Sequence, residues 1–217
     1  MNSSGSPLHQ ESASEISGGE TKNRKRPRPG ERRLQILQIL AEMLQNPSGD
    51  RVTTAALAAK IGVSEAALYR HFASKAQMFE GLIAFIEQTI FGLINQINQK
   101  EELGIAQVKG MVQMLLVFAE KNPGMVRVLL GDALLQEDER LQERINQVLD
   151  RVETSLKQSL RIAQSQHQDG AASDTAGLQS ALLMSYVVGR WHRFARSGFR
   201  KLPSEGIEPS LRILLTA

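Results

Sequence analysis

A chain of 217 residues is long enough for a small domain and a larger one, and its 41% hydrophobic residues supply cores for both. It contains no cysteine, which removes disulfides, thiolate zinc sites and cysteine nucleophiles and fits a reducing compartment. The formal net charge of +3 is modest, no apolar run approaches the roughly 20 residues of a membrane helix, and the first 30 residues lack a signal peptide's apolar core, so a cytoplasmic protein with no membrane contact is expected.

Residues 1–21 are rich in Ser, Gly, Glu and Gln, with almost no large apolar side chains to offset the entropy of ordering. They are read as a flexible tail. A basic run follows: Lys22, Arg24, Lys25, Arg26, Arg28, Arg32 and Arg33 fall within twelve positions whose only acid is Glu31. Such runs are usually solvated arms, but this one directly precedes a candidate DNA reader and suits tracking phosphates. Residues 1–30 are therefore assigned as a tail with a basic arm.

From Glu31 the spacing predicts helix after helix, an all-α chain. Leu34, Ile36, Leu37, Ile39, Leu40, Met43 and Leu44 line the first, which stops at the Asn46–Asp50 turn with its Pro47 and Gly49. Thr53–Phe72, TTAALAAKIGVSEAALYRHF, then reads as two short helices joined by a tight turn. Leu57, Ala58 and Ile61 give the first an apolar side; Val63, Leu68 and Phe72 do so for the second. Gly62 between them tolerates a positive φ, and the small Ala58 permits a close, steep crossing. Ser64 is expected to cap the second helix, and Thr53 or Thr54 the first.

The face left over points to DNA. Ser64, Glu65, Ala66, Ala67, Tyr69, Arg70 and His71 cluster there, with Lys75 close behind; small residues at the helix start allow close approach to a groove, and the later ones suit phosphate and base-edge contacts. A plain αα-corner is the alternative. Residues 31–76 are assigned as a three-helix helix-turn-helix domain.

Residues 77–217 are assigned to a helical dimerisation and partner-binding domain. Ser74 is expected to cap a helix running to about Lys100, near 40 Å at about 1.5 Å per residue, a bridge from the reader to the rest. A helix near Ile105–Lys121 closes at Asn122, Pro123 and Gly124, and a short segment spans Met125–Leu130. Gln136 to about Gln168 forms a polar helix with Leu141, Ile145, Val148, Val152, Leu156 and Leu160 spaced by three and four, either a coiled coil or, more ordinarily, one stripe packed on neighbours. After a polar break at Gly170–Gly177, the last long helix carries Leu178, Leu182, Leu183, Tyr186, Val187, Trp191 and Phe194, and a terminal segment ends in Leu211, Ile213, Leu214 and Leu215. So small a chain leaves apolar surface for self-association, and a symmetric homodimer would set two readers on a roughly palindromic site.

The whole pattern resembles the TetR family of bacterial regulators over most of residues 31–200. VSEAALYRHFASKAQMFEGLIAFIE and KNPGMVRVLLGDALLQEDERLQERINQVLDRVE are similar to its subgroup that acts in nucleoid occlusion. The resemblance implies a dimer that binds double-stranded chromosomal DNA and also binds FtsZ, the tubulin-like division protein, disrupting its polymers over the nucleoid. It puts Thr53, Thr54, Ser64, Ala66, Tyr69, His71 and Lys75 at DNA-facing positions. It places the FtsZ tail between the bridge helix and the next, at Phe85, Ile86, Leu93, Met114, Phe118, Lys121 and Asn122. Core packing is the ordinary reading of Ile86, Met114 and Phe118. Phe85, beside Glu87, is the better groove candidate, and Lys121 suits a carboxylate-bearing peptide.

Many members of the family are repressors released by a small molecule, and Tyr186, Trp191 and His192 would line such a cavity if they do not fill the core. Catalysis has little support. His9, His71, His167 and His192 are scattered without metal-ligand spacing, no phosphate-cradling glycine loop appears, and consecutive Glu137, Asp138 and Glu139 point in different directions along a helix start expected to be solvated. No catalytic residue, metal or cofactor is assigned.

Overall fold

Hydroxyl caps open the helices of the candidate reader. Thr53 accepts from the Ala56 N–H at 3.1 Å, Ser64 from Ala67 at 3.2 Å and Ser74 from Gln77 at 3.1 Å. The computed structural model describes residues 30–46, 52–135, 137–166 and 175–215, and these contain no strand. The expected tail, basic residues Lys22 to Arg28, Pro47 to Asp50, Gln136 and residues 167–174 lie outside the described residues.

The helices are α1 (Glu31–Met43), α2 (Thr54–Ile61), α3 (Glu65–Tyr69), α4 (Lys75–Lys100), α5 (Gly104–Lys121), α6 (Pro123–Leu129), α7 (Glu139–Gln166), α8 (Ala176–Arg196) and α9 (Ile207–Leu215), with a 3₁₀ turn at Asp132–Leu134. The two reader helices meet the sequence expectation closely. Gly62 ends α2 in the left-handed region at φ 78°, and a Cβ built there would meet nothing within 4 Å, so its requirement is conformational rather than steric. α3 is shorter than expected, because the chain leaves the helix at Arg70 and His71 sits in the connection to α4.

α4 leads away from α3, α5 returns, α7 runs out again and α8 comes back. Lys75 bonds Glu137 at the near end, whereas at the far end the Gly104 N–H donates to Gln166 Oε1 at 2.9 Å. α5 is sandwiched among α4, α7 and α8, with Val108, Met111, Val112, Leu115 and Leu116 inaccessible to solvent. The α7 stripe from Leu141 to Leu160 is likewise buried and packs on α4, α5 and α8, which is the ordinary globular arrangement. The Trp191 indole N–H donates to the Leu115 carbonyl at 3.2 Å, so α8 closes the bundle beside the returning half of α5.

α4 is long and apolar enough, by length and composition, to cross a bilayer. Its Met78, Phe79, Leu82, Ile83, Ile86 and Ile90 are instead buried in the protein core, and it carries Glu87 in an ion-pair cluster.

α6 joins this bundle to α1. Gly124 approaches so closely that a Cβ there would lie 1.8 Å from the Ala41 carbonyl oxygen, and Arg127 Nη1 donates to the Leu44 and Asn46 carbonyls at 3.3 Å each.

Candidate nucleic-acid interface

Burial divides the reader helix cleanly. Leu68 and Phe72 enter the core at 0% and 1% exposure, and α3 packs on α2. Ser64, Glu65, Ala66, Tyr69 and Arg70 are left facing solvent, with Ala67 and His71 half-buried. The Ser64 hydroxyl is spent on its cap, so the start of α3 offers two small side chains around a partly positive helix end.

α2 contributes to the same surface. Thr54 Oγ1 donates to Glu65 Oε2 at 2.7 Å, and the Tyr69 hydroxyl reaches Thr54 Oγ1 at 3.5 Å. Thr54, Glu65 and Tyr69 are thereby brought together, and the Glu65 link was not foreseen from the sequence. Arg70 is exposed and has no carboxylate within 4.0 Å among the described residues, leaving its fork open to phosphate.

Two basic residues do not stand as free cations. Lys75, expected at the DNA-facing surface, directs its ammonium to Glu137 and lies 5.7 Å over the Phe79 ring. That pairing corrects the solvated helix start: the Glu137 side chain is only 9% exposed. Arg33, counted in the basic arm, stacks 4.1 Å over Phe72 and donates to the His71 carbonyl at 2.5 Å, bracing the end of the reader. Asp138 beside Glu137 accepts from the Arg140 side chain and backbone, and these bonds lower its carboxyl from 3.8 to about 2.

The second candidate surface lies along α4. Phe85 and Leu93 are half-buried, and each stands roughly 200° around the helix from a residue that faces α7, Glu87 and Phe91 respectively. On the α7 side the Glu87 carboxylate is gripped by Arg144 and Arg151, and the Arg151 guanidinium lies 4.3 Å over Phe91. Arg144 and Arg151 are seven positions apart, two turns of one helix face, and that spacing was a readable but unused signal. Ile86 and Phe118 are core at 0% and 5% exposure, and Met114 is half-buried. Lys121 is exposed, and the Asn122 amide donates to the Phe118 carbonyl at 2.8 Å.

The three residues considered for an internal ligand cavity do not converge. Trp191 is wholly buried and bonded to Leu115, Tyr186 is half-buried, and His192 is exposed on the outer face of α8. His192 instead lines a surface cleft of about 680 Å³ with Arg193, Arg196, Arg200 and Lys201. None of Phe85, Leu93, Lys121 or Asn122 borders that cleft.

Comparison with known proteins places this geometry. Residues 41–82 match the family of bacterial regulatory proteins, tetR family, and residues 102–216 match the Tetracyclin repressor-like, C-terminal domain of the SlmA-like type. The chain is 47% identical over 183 residues to the nucleoid occlusion factor SlmA of Idiomarina loihiensis, covering 84% of this chain and 93% of that one. It is 52% identical over 174 residues to that of Shewanella loihica, covering 80% and 88%. Among solved structures, a TetR-like transcriptional regulator from a Rhodococcus species superposes with a TM-score of 0.69 at 18% identity, covering 89% of this chain and all of that one. The TetR family regulator PfmR from Thermus thermophilus gives 0.67 at 19%, covering 84% and 98%; at these identities the likeness is one of fold.

Proposed function

The chain belongs to the TetR family of bacterial regulatory proteins, in the branch of the nucleoid occlusion factors SlmA, and from that membership we propose how its surfaces divide the work. Two copies hold a roughly palindromic duplex, each laying α3 in a major groove, and the assembly stays on the nucleoid in the cytoplasm. There it engages FtsZ and breaks its polymers, so that division does not proceed across unsegregated DNA. The observation that carries the DNA half is the capped, Leu68-anchored α3, whose outward side chains are small at its start and polar at its end. Thr53, Thr54, Ser64, Ala66, Tyr69, Arg70 and His71 form that surface; Lys75 contributes as its brace through Glu137.

The FtsZ half rests on the edge of α4 and the end of α5. Phe85 and Leu93 offer apolar contact, while exposed Lys121 and half-buried Asn122 offer a cation and an amide to a carboxylate-bearing tail. A ligand-released repressor has no specific observation in its favour, since Trp191 is spent on the core.

The test combines purified protein, FtsZ, GTP and chromosomal fragments, with polymer read by sedimentation. Polymer is expected to fall only when a bound fragment is present, and Phe85→Ala to abolish the loss while sparing DNA binding. Polymer indifferent to the wild-type protein and DNA together would reject the FtsZ reading.

A further inference from the structure

The surface proposed to meet DNA carries a carboxylate that the proposed function leaves without a role. Glu65 is exposed, between the exposed and small Ser64 and Ala66. Its side chain is held from the neighbouring helix, because Thr54 Oγ1 donates its one proton to Glu65 Oε2 at 2.7 Å. The Tyr69 hydroxyl, one turn further along the same face of α3, reaches Thr54 Oγ1 at 3.5 Å and completes the chain. Oε1 receives no hydrogen bond among the described residues, and neither oxygen has a cation within 4.0 Å there. A fixed carboxylate thus presents a free acceptor on the groove side of the reader.

An acid in the first turn of a helix complements the N–H groups there, and position alone gives Glu65 that role. It does not account for a side chain tied across to α2 with one oxygen left open. Phosphates repel a carboxylate, so on a duplex of arbitrary sequence Glu65 weakens binding. Only a donor on a base edge offsets that repulsion. In the major groove cytosine presents the N4 amino donor, whereas adenine sets its N7 acceptor beside the N6 donor. A carboxylate holds acceptors alone and meets cytosine without an opposing lone pair; adenine is matched by an amide.

We propose that Glu65 is a specificity-determining residue, accepting from the N4 amino group of one cytosine in each half-site, with Thr54 as the positioning residue that aims it. The small side chains of Ser64 and Ala66 let this part of α3 come close enough for a glutamate to reach a base edge. The charge acts twice, favouring the cytosine and penalising duplexes that lack it. The inference rests on the reading that α3 lies in the major groove, and it adds the base that α3 selects there.

Full-length protein selects duplexes from a randomised library, and fluorescence anisotropy then measures affinity for the selected duplex, for versions with single base pairs replaced, and for an unrelated duplex. Wild type is expected to enrich cytosine at one position of each half-site and to lose roughly 5- to 150-fold in affinity when that pair is replaced. Glu65→Ala is expected to erase the preference at that position alone and to bind the unrelated duplex severalfold more tightly. Glu65→Gln keeps the length and an acceptor for Thr54, and is expected to move the preference there to adenine. Thr54→Val is expected to relax the same position and no other. A residue that only held α3 in place would, on removal, weaken binding to every duplex. Cytosine preference retained by folded Glu65→Ala, or equal weakening toward selected and unrelated duplexes, would overturn the proposal. Should that variant fail to fold, an unchanged preference in Glu65→Gln would overturn it. Absence of any enriched sequence with wild type would overturn the major-groove reading and this inference with it, whereas enriched sites that ignore the Glu65 variants overturn this inference alone.

Discussion

Gly124→Ala asks whether the reader is rigidly seated on the helical body. Gly124 opens α6 against α1, and the added Cβ would lie 1.8 Å from the Ala41 carbonyl oxygen, a backbone atom unable to swing aside as a side chain can. Bringing that contact only to 3.0 Å, below which real Cβ atoms essentially never sit, requires α6 and α1 to part by about 1.2 Å. The same parting lengthens the Arg127 bonds to Leu44 and Asn46, already 3.3 Å each. Overpacking of this kind typically costs about 1–3 kcal/mol. Without a clash the substitution would act in the opposite direction, because alanine exceeds glycine in helix propensity by up to about 1 kcal/mol. The sign of the change therefore decides the matter. Urea unfolding followed by circular dichroism is expected to show a lower midpoint with an unchanged slope, and DNA affinity is expected to fall with it. A variant as stable as wild type, or more so, would refute the close seating of α6 on α1.

Other expectations concern charge. Glu87→Gln leaves Arg144 and Arg151 facing each other; because those arginines are 42% and 56% exposed, solvent moderates the loss to about 1–2 kcal/mol in urea unfolding, and Glu87→Leu is expected to cost less. Asp138 has a folded pKa of about 2 against an ordinary 3.8, so its contribution is complete above the unfolded value and fades as pH falls toward 2. Asp138→Asn is expected to flatten the stability profile in that window, and an unchanged acid limb would contradict the Arg140 bond. Arg70→Ser, measured by fluorescence anisotropy, is expected to weaken binding similarly across DNA sequences and to shallow the slope of log affinity against log salt by about 1 per phosphate lost.

What was legible in the sequence was local. The threonine and serine caps, the left-handed Gly62 and the α7 stripe each depend on residues within a turn or two, where spacing fixes geometry. The misses involve partners distant along the chain. Lys75 reads as a free cation until Glu137, 62 positions on, is folded beside it; Glu87 looks exposed until α7 brings Arg144 and Arg151 across. Gly124 resembles an ordinary helix-end glycine, and only the approach of α1 shows why a Cβ is excluded. The basic cleft was hidden for a related reason: Arg193 and Arg196 show a periodic face, but the return of Arg200 and Lys201 depends on a positive φ at Phe199 that its side chain disfavours.

Everything functional rests on α3 entering duplex DNA from a paired molecule, and nuclease protection across fragments of the host chromosome tests it most directly. Discrete footprints are expected, each made of two half-sites centred about one helical turn or a multiple apart and occupied by two protomers, lost in Tyr69→Ala and Arg70→Ser variants that fold normally. Uniform digestion at every fragment, or protection that those variants leave intact, would contradict the account.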